Sequence, residues 1–371
     1  MIRFRSLAIT VALQAMAWTQ TPVRPPMRAS ILESVPEPPV PSDPLELVTG
    51  DAQPVQTPQQ RQAATNLLQT ARAASNVRAQ PYDLKTTFTA FGSSSSDGNW
   101  TLEDTSPSGK IYRWTAQGPG YSSVNLYKDR LLYSNLPPSA IPMRLTQVRE
   151  AIFYTYQVGG EFMSMRTATG YLNGAEMRCV LTAPAFGGKV FTGGRNWEES
   201  EYCVDPNTGL LMLHSPAPGV YIKYDYTNGI HFHGKTIAGA FTISEGGRNV
   251  VEARTESVTD PASSSPALFD PTGMTSIGVG SMMTAASRVR STIGPRPVNG
   301  NPKMDIVVLH GIAAPDGHLG EVEVLATSNP ANNQAALDRA SNWQALNPAQ
   351  DGTTPQSHEI IFTYEFVTPS S

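Results

Sequence analysis

Residues 84–134 read LKTTFTAFGSSSSDGNWTLEDTSPSGKIYRWTAQGPGYSSVNLYKDRLLYS, and their rhythm decides the fold. From Leu84 to Phe91 side chains alternate with a two-residue period, the period of a half-buried strand. Four more β-rich runs follow: Asn99–Glu103, Lys110–Ala116, Ser122–Tyr127 and Arg130–Ser134. Between them stand Asp97-Gly98, Ser108-Gly109, Pro119-Gly120 and Lys128-Asp129. Turn-forming pairs recurring every roughly 8–12 positions define an antiparallel meander.

Upstream the period changes. Gln59–Arg78 is rich in Ala, Gln, Leu and Arg, with Ala64, Leu67, Leu68, Ala71 and Ala74 three or four apart, one apolar face of a helix. Before it, Trp18–Pro58 holds ten prolines in 41 residues. Proline fixes φ and removes a donor, so this stretch reads as an extended spacer. The first 17 residues read as a signal peptide: Arg3 and Arg5, an apolar run Leu7–Leu13, then Ala15-Met16-Ala17 before the cut. That run is far shorter than the roughly 20 residues that span a bilayer. No cysteine adjoins the cut, and Arg3 and Arg5 are not a twin-arginine pair. The expected compartment is the periplasm or the outer-membrane surface, with no transmembrane anchor.

Downstream, Pro142–Gln157 is helical in pattern, with Leu145, Val148, Ile152 and Tyr156 on one face. Strand-like runs resume at Glu176–Ala183, Glu199–Val204, Leu210–His214, Val220–Tyr226, Lys235–Ile243 and Val250–Val258. The β-rich unit therefore spans 59–260. Residues 261–302, with Ser263-Ser264-Ser265 and many glycines, read as a flexible linker holding at most a short helix near Met282–Val289. Its Gly278-Val279-Gly280 lacks the preceding strand and following Lys-Ser or Lys-Thr of a phosphate loop. Cys179 and Cys203 are the two cysteines. In an oxidising compartment an even count points to a disulfide, and closing a loop of about 25 residues stabilises by roughly 3 kcal/mol. Two separately buried thiols are the plainer alternative.

A chain of 371 residues, 40% apolar and 16% charged, has room for two folded units. Its net charge is -4 and no basic run exceeds a pair. Nucleic acid needs a clustered basic face and is excluded as a partner.

Residues 303–371 carry the sharpest local pattern. Asp305–Ile312 is β-rich, Pro315-Asp316-Gly317 turns the chain, and Glu321–Leu325 returns it. Asn333–Ala345 is a helix with Ala336, Leu337, Ala340 and Trp343 on one face, and Glu359–Phe366 alternates. Strand, turn, strand, helix, strand gives a small two-layer sheet and helix. With Gly320-Glu321-Val322-Glu323-Val324-Leu325 and Pro348-Ala349 in order, residues 304–367 resemble the C-terminal domain of TonB. The Tyr-Pro step frequent in that family is absent, as is its uncleaved anchor. Acids outnumber Lys303 and Arg339 in this unit. The resemblance implies recognition of an envelope protein or extended peptide by strand addition, in which backbone hydrogen bonds give affinity. Its expected site is the last strand, Ile360, Ile361, Phe362, Thr363 and Tyr364, taken as a free edge. Ile360, Phe362, Tyr364 and Phe366 would cover the helix.

The middle unit also resembles a family. A leading helix at 59–78, then Phe88, Phe91, Trp100, Leu102, Tyr112 and Trp114 on successive strands, is similar in pattern to the LolA-like lipoprotein carriers. That resemblance implies an apolar sheet face plugged by helices and able to hold lipid acyl chains. The plainer reading is an ordinary sandwich or barrel core.

Reactive constellations are sparse. His231-Phe232-His233 places two imidazoles on one side of a strand, with Asp225 near, but an exposed hairpin tip is the simpler reading. His214, His310, His318 and His358 stand singly and read as structural. Neither Gly-x-Ser-x-Gly nor His-Glu-x-x-His occurs, and Ser281 lacks the second glycine of a nucleophile elbow. Glu198, Glu199 and Glu201 read as a solvated strand edge. No catalytic, cofactor-binding or metal-binding residues are expected. The chain reads as α+β, mostly antiparallel β: an exported envelope adaptor first, a lipid or lipoprotein carrier second, and an envelope hydrolase or metalloenzyme last.

Overall fold

The computed structural model describes residues 52–91, 97–136, 142–153, 163–184, 199–217, 220–245, 248–262, 265–277, 287–293, 303–314, 316–327, 329–342 and 358–368. The expected signal peptide and most of the proline-rich segment lie outside these residues. The protein is α+β and mostly antiparallel β.

Helix α1 (Pro58–Ser75) starts where the sequence dictates. Thr57 caps it: the Gln60 amide donates to the Thr57 hydroxyl at 3.2 Å, and the Thr57 amide donates to the Gln60 side chain at 3.0 Å. Pro58 takes the first turn, where a missing N–H costs nothing. Ala64, Leu68, Ala71 and Ser75 are the buried stripe.

The meander follows as β2 (Tyr82–Ala90), β3 (Gly98–Ser106), β4 (Tyr112–Gly118), β5 (Tyr121–Lys128) and β6 (Leu131–Ser134), each antiparallel to the next. Helix α2 (Met143–Phe153) interrupts, and residues 154–157 of the expected helix lie outside the described residues. A second run comprises β7 (Met163–Leu172), β8 (Ala175–Pro184), β9 (Ser200–Val204), β10 (Leu211–Ala217), β11 (Val220–Asp225), β14 (Ala240–Glu245) and β15 (Arg248–Thr259). The hairpin β12 (Ile230–Phe232) and β13 (Lys235–Ile237) projects from it. Strand β15 pairs with β2, joining both runs into one sheet of fourteen strands among the described residues.

Two differences from the sequence reading have physical causes. Strand β7 went unread because Met163–Leu172 alternates weakly, although Asn173 and Gly174, at φ 51° and 82°, make the tight left-handed turn that pairs it with β8. Segments read as spacers also join sheets: β1 (Gln53–Pro54) pairs with β7, and β16 (Thr275–Ile277) pairs with β6.

The C-terminal unit holds β18 (Lys303–Ala313), β19 (Leu319–Thr327), helix α3 (Asn333–Ser341) and β20 (His358–Thr368), the expected element order. Val307, Leu309, Ala336, Ala340 and Tyr364 pack between sheet and helix. Strand β17 (Ser287–Ile293), from the expected linker, pairs parallel with β20. The four-stranded order is β17-β20-β18-β19. Strand β20 is thus internal, paired with β17 on one side and β18 on the other. The expectation of a free edge at Ile360, Ile361, Phe362, Thr363 and Tyr364 is corrected: their backbone groups are engaged within the sheet. Sequence did not reveal this, because nothing in 287–293 announces a parallel partner seventy residues away.

Candidate functional site

The alternation of the first meander sorts side chains by face. Phe88, Trp100, Leu102, Trp114, Ala116 and Leu132 point to one side and join Val180, Tyr202, Ile222, Phe241 and Ile243 of the second run. Helices α1 and α2 cover this face with Ala64, Leu68, Ala71, Leu145, Val148 and Ala151. Of the aromatics singled out in sequence, Tyr112 packs against the cluster and Phe91 is exposed. Phe88 stacks on Trp100 at 5.6 Å. A Cβ at Gly118 would come within 2.4 Å of the Trp100 ring, so only glycine admits that ring.

Polar groups are set into this apolar face beneath α2. Asp104 is fully buried and accepts from the Tyr82 hydroxyl at 2.7 Å and from Arg149 Nη2 at 2.9 Å. Arg149 also lies 3.7 Å over the Trp114 ring, a desolvated cation–π contact. Burial pushes the Asp104 carboxyl above the usual carboxylate range, against the pull of Arg149. Burial, then the Asp104 charge, pushes the Tyr82 phenol well above its normal value. Nearer the start of α2, Arg144 Nη1 and Gln147 Nε2 donate to Glu245 Oε1 at 2.6 and 2.8 Å. Both charged side chains of that pair are fully buried. The Tyr224 hydroxyl donates to the Ala151 carbonyl at 2.8 Å. Three polar contacts, spread along its length, hold α2 to the sheet.

The opposite face differs between the two halves of the sheet. Across β2, β3, β14 and β15 it is polar, and Thr87, Thr89, Asn99, Thr101, Thr242 and Arg254 line a cavity of about 740 Å³ there. Phe88, Trp100 and Phe241 also contribute to its wall. Across β8, β9 and β10 that face is buried, carrying Leu181, Leu213 and the Cys179–Cys203 disulfide between directly opposed residues, with Tyr221 of β11 packed beside them. Arg166 grips Glu199 there through two hydrogen bonds of 2.8 and 2.6 Å. Glu199 and Glu201, expected as a solvated edge, are both buried; the strand carrying them is covered on both faces. Glu198 lies outside the described residues.

Most histidines take ordinary places. His231 and His233 are exposed on either side of buried Phe232 in the β12–β13 hairpin, His233 at 2.8 Å from Asp260 and His231 at 3.3 Å from Thr236. Asp225 instead receives the Thr227 amide at 2.8 Å. His214 stacks on Tyr202 at 4.6 Å. His214 and His310 are both buried, and His310 stands where the C-terminal unit meets the large sheet, 3.3 Å from Glu323. Arg248 of β15 reaches the same carboxylate at 2.6 Å.

Sequence reasoning missed Asp104, Arg144, Arg149, Arg166 and Glu245. One signal was present: Asp104 continues the inward series Trp100, Leu102, and a charge at an inward position needs a partner. Where that partner sits is set by tertiary packing.

No family model matches the chain, and no curated protein sequence matches it. Among solved structures it is similar to a LolA superfamily protein from Nitrosomonas europaea, at 8% identity and TM-score 0.40, covering 56% of this chain and 97% of that one. It is also similar to a putative outer membrane lipoprotein-sorting protein domain from Vibrio parahaemolyticus, at 9% identity and TM-score 0.36, covering 57% and 97%. Both are likenesses of outline, at identities too low to transfer a function.

Proposed function

We propose that this chain is an exported carrier that holds the acyl chains of a lipid or lipoprotein between its large sheet and helices α1 and α2, in the periplasm or at the outer membrane. The observation that carries the reading is the cover of the apolar sheet face. Two helices lie on it, and α2 is held there through Asp104, Glu245 and Tyr224. A cover of that kind separates from the sheet along one surface and exposes aromatic and aliphatic side chains to an incoming chain. Transfer of acyl methylenes into such a site gives about 0.8 kcal/mol each. A titration of the full chain with a synthetic diacylated peptide and its unacylated twin tests the reading. Binding of the acylated peptide alone is expected; equal binding of both, or of neither, would refute it.

A second reading, an adaptor that adds a partner's peptide to a sheet, is supported by β19 standing outermost in the C-terminal sheet among the described residues. On that reading Leu319–Thr327 is the docking strand and the β20 residues act from within the sheet.

A further inference from the structure

We propose that Glu245, His310 and Glu323 form a binding site for a divalent cation of zinc type, spanning the junction of the large sheet and the C-terminal sheet. This does not depend on the acyl-chain reading. One ligand atom from each of the three residues lies within 4.8 Å of the other two. The arrangement of hydrogen bonds around them is what distinguishes the group from a chance cluster. Glu245 is fully buried; Arg144 and Gln147 hold its Oε1, and its Oε2 has no hydrogen-bond partner. Glu323 repeats the pattern: Arg248 holds its Oε2 at 2.6 Å, and its Oε1 faces His310 Nδ1. Each carboxylate has one oxygen fixed by an arginine, and the proposal assigns the other, Glu245 Oε2 and Glu323 Oε1, to the shared centre. Outer hydrogen bonds that orient ligating carboxylates in this way are the usual support of a protein metal site.

The His310–Glu323 separation agrees. Oε1 of Glu323 and Nδ1 of His310 are 3.3 Å apart, long for a charge-assisted hydrogen bond. A tetrahedron with metal–ligand bonds of about 2.0–2.1 Å has edges of about 3.3 Å, so two ligands of one zinc ion stand that far apart. An unpartnered carboxylate oxygen in a fully buried side chain is costly unless a proton or a cation meets it. One imidazole and two carboxylates suit zinc, and three protein ligands leave a fourth position open. The rival occupant is a proton on His310, because Arg144 and Arg248 already offset both carboxylate charges. A metal here ties Glu245, which grips α2, to two residues of the C-terminal sheet.

The full chain, stripped with chelator and titrated with zinc alone and then cobalt(II) alone, tests the site. Expected is one ion per chain, with cobalt giving the visible absorption of a four- or five-coordinate centre. Glu323→Gln, partly exposed and outside the large core, should weaken binding at least tenfold, the scale of such losses in metal sites. His310→Gln should do the same, and if that variant does not fold, Glu323→Gln alone decides. His231→Ala, on the separate exposed hairpin, should leave binding unchanged. Folded wild-type chain that takes up neither ion overturns the proposal. So does binding that survives Glu323→Gln, or that is lost with His231→Ala.

Discussion

The two halves of the large sheet are built on different principles. Strands β2 to β4 bury one face: Tyr82, Leu84, Thr86, Phe88 and Ala90 point inward, and the residues between them are partly or fully exposed. Strands β8 to β10 are buried on both faces, so that Cys179 through Ala183 form an unbroken buried run. The first half needs no charges inside beyond Asp104. The second must place Arg166, Glu199 and Glu201 where water does not reach, and a covalent bond crosses it. A sheet with one solvated face is written in alternation, whereas one covered twice is written in pairings that only the fold reveals.

The comparison breaks most sharply at Arg166. Arg166→Leu removes both Arg166 hydrogen bonds from buried Glu199, and the expected loss is about 3–5 kcal/mol in urea unfolding. Replacing both, Arg166→Met with Glu199→Leu, should recover most of it. An equal loss in single and double variants would mean that packing, not charge, is at stake. Next comes the disulfide: Cys179→Ser with Cys203→Ser should cost roughly 3 kcal/mol, read from the same transition. In the other half, Gly118→Ala drives a methyl into the Trp100 ring and should cost about 1–3 kcal/mol, with a change in tryptophan fluorescence.

Smaller effects mark the seam and the surface. Burial alone would raise the Glu323 carboxyl, but hydrogen bonds from Arg248 and His310 outweigh it and hold the group below the usual glutamate value. A carboxylate with a depressed folded pKa stabilises above its unfolded value, about 4.3, and loses that contribution as pH falls through the folded value. Acid unfolding of Glu323→Gln should therefore lack part of the wild-type pH dependence in that window; identical profiles would show that the ion pair contributes nothing. Last, Lys85 and Glu103 form a pair 2.8 Å apart on the solvated face of the first half. Lys85→Ala should leave the unfolding midpoint where it was, since exposed pairs of this kind contribute little.

Much of this is legible in the sequence. The turns of β2 to β6 and the order of the C-terminal elements rest on local rules, which act within a few residues; the pairing of Cys179 with Cys203 followed from their even count in an oxidising compartment. What escaped depends on distance along the chain. Glu245 meets Arg144 across 101 positions, and Ser287–Ile293 finds β20 in parallel register. Alternation in Glu359–Phe366 was visible, but its neighbours on either side were not, so a central strand looked like an edge. The junction residues His310 and Glu323 sit on adjacent antiparallel strands, a pairing the hairpin turn implied, yet nothing local linked them to Glu245.

Native mass spectrometry of the chain, purified from the cells that produce it, is the most direct test of acyl-chain carriage. A carrier whose helices close over an apolar sheet face should fly with a heavier species that sheds acyl-chain lipid on collisional activation. A single bare mass, with no fatty acid in the solvent extract of the same sample, would contradict it.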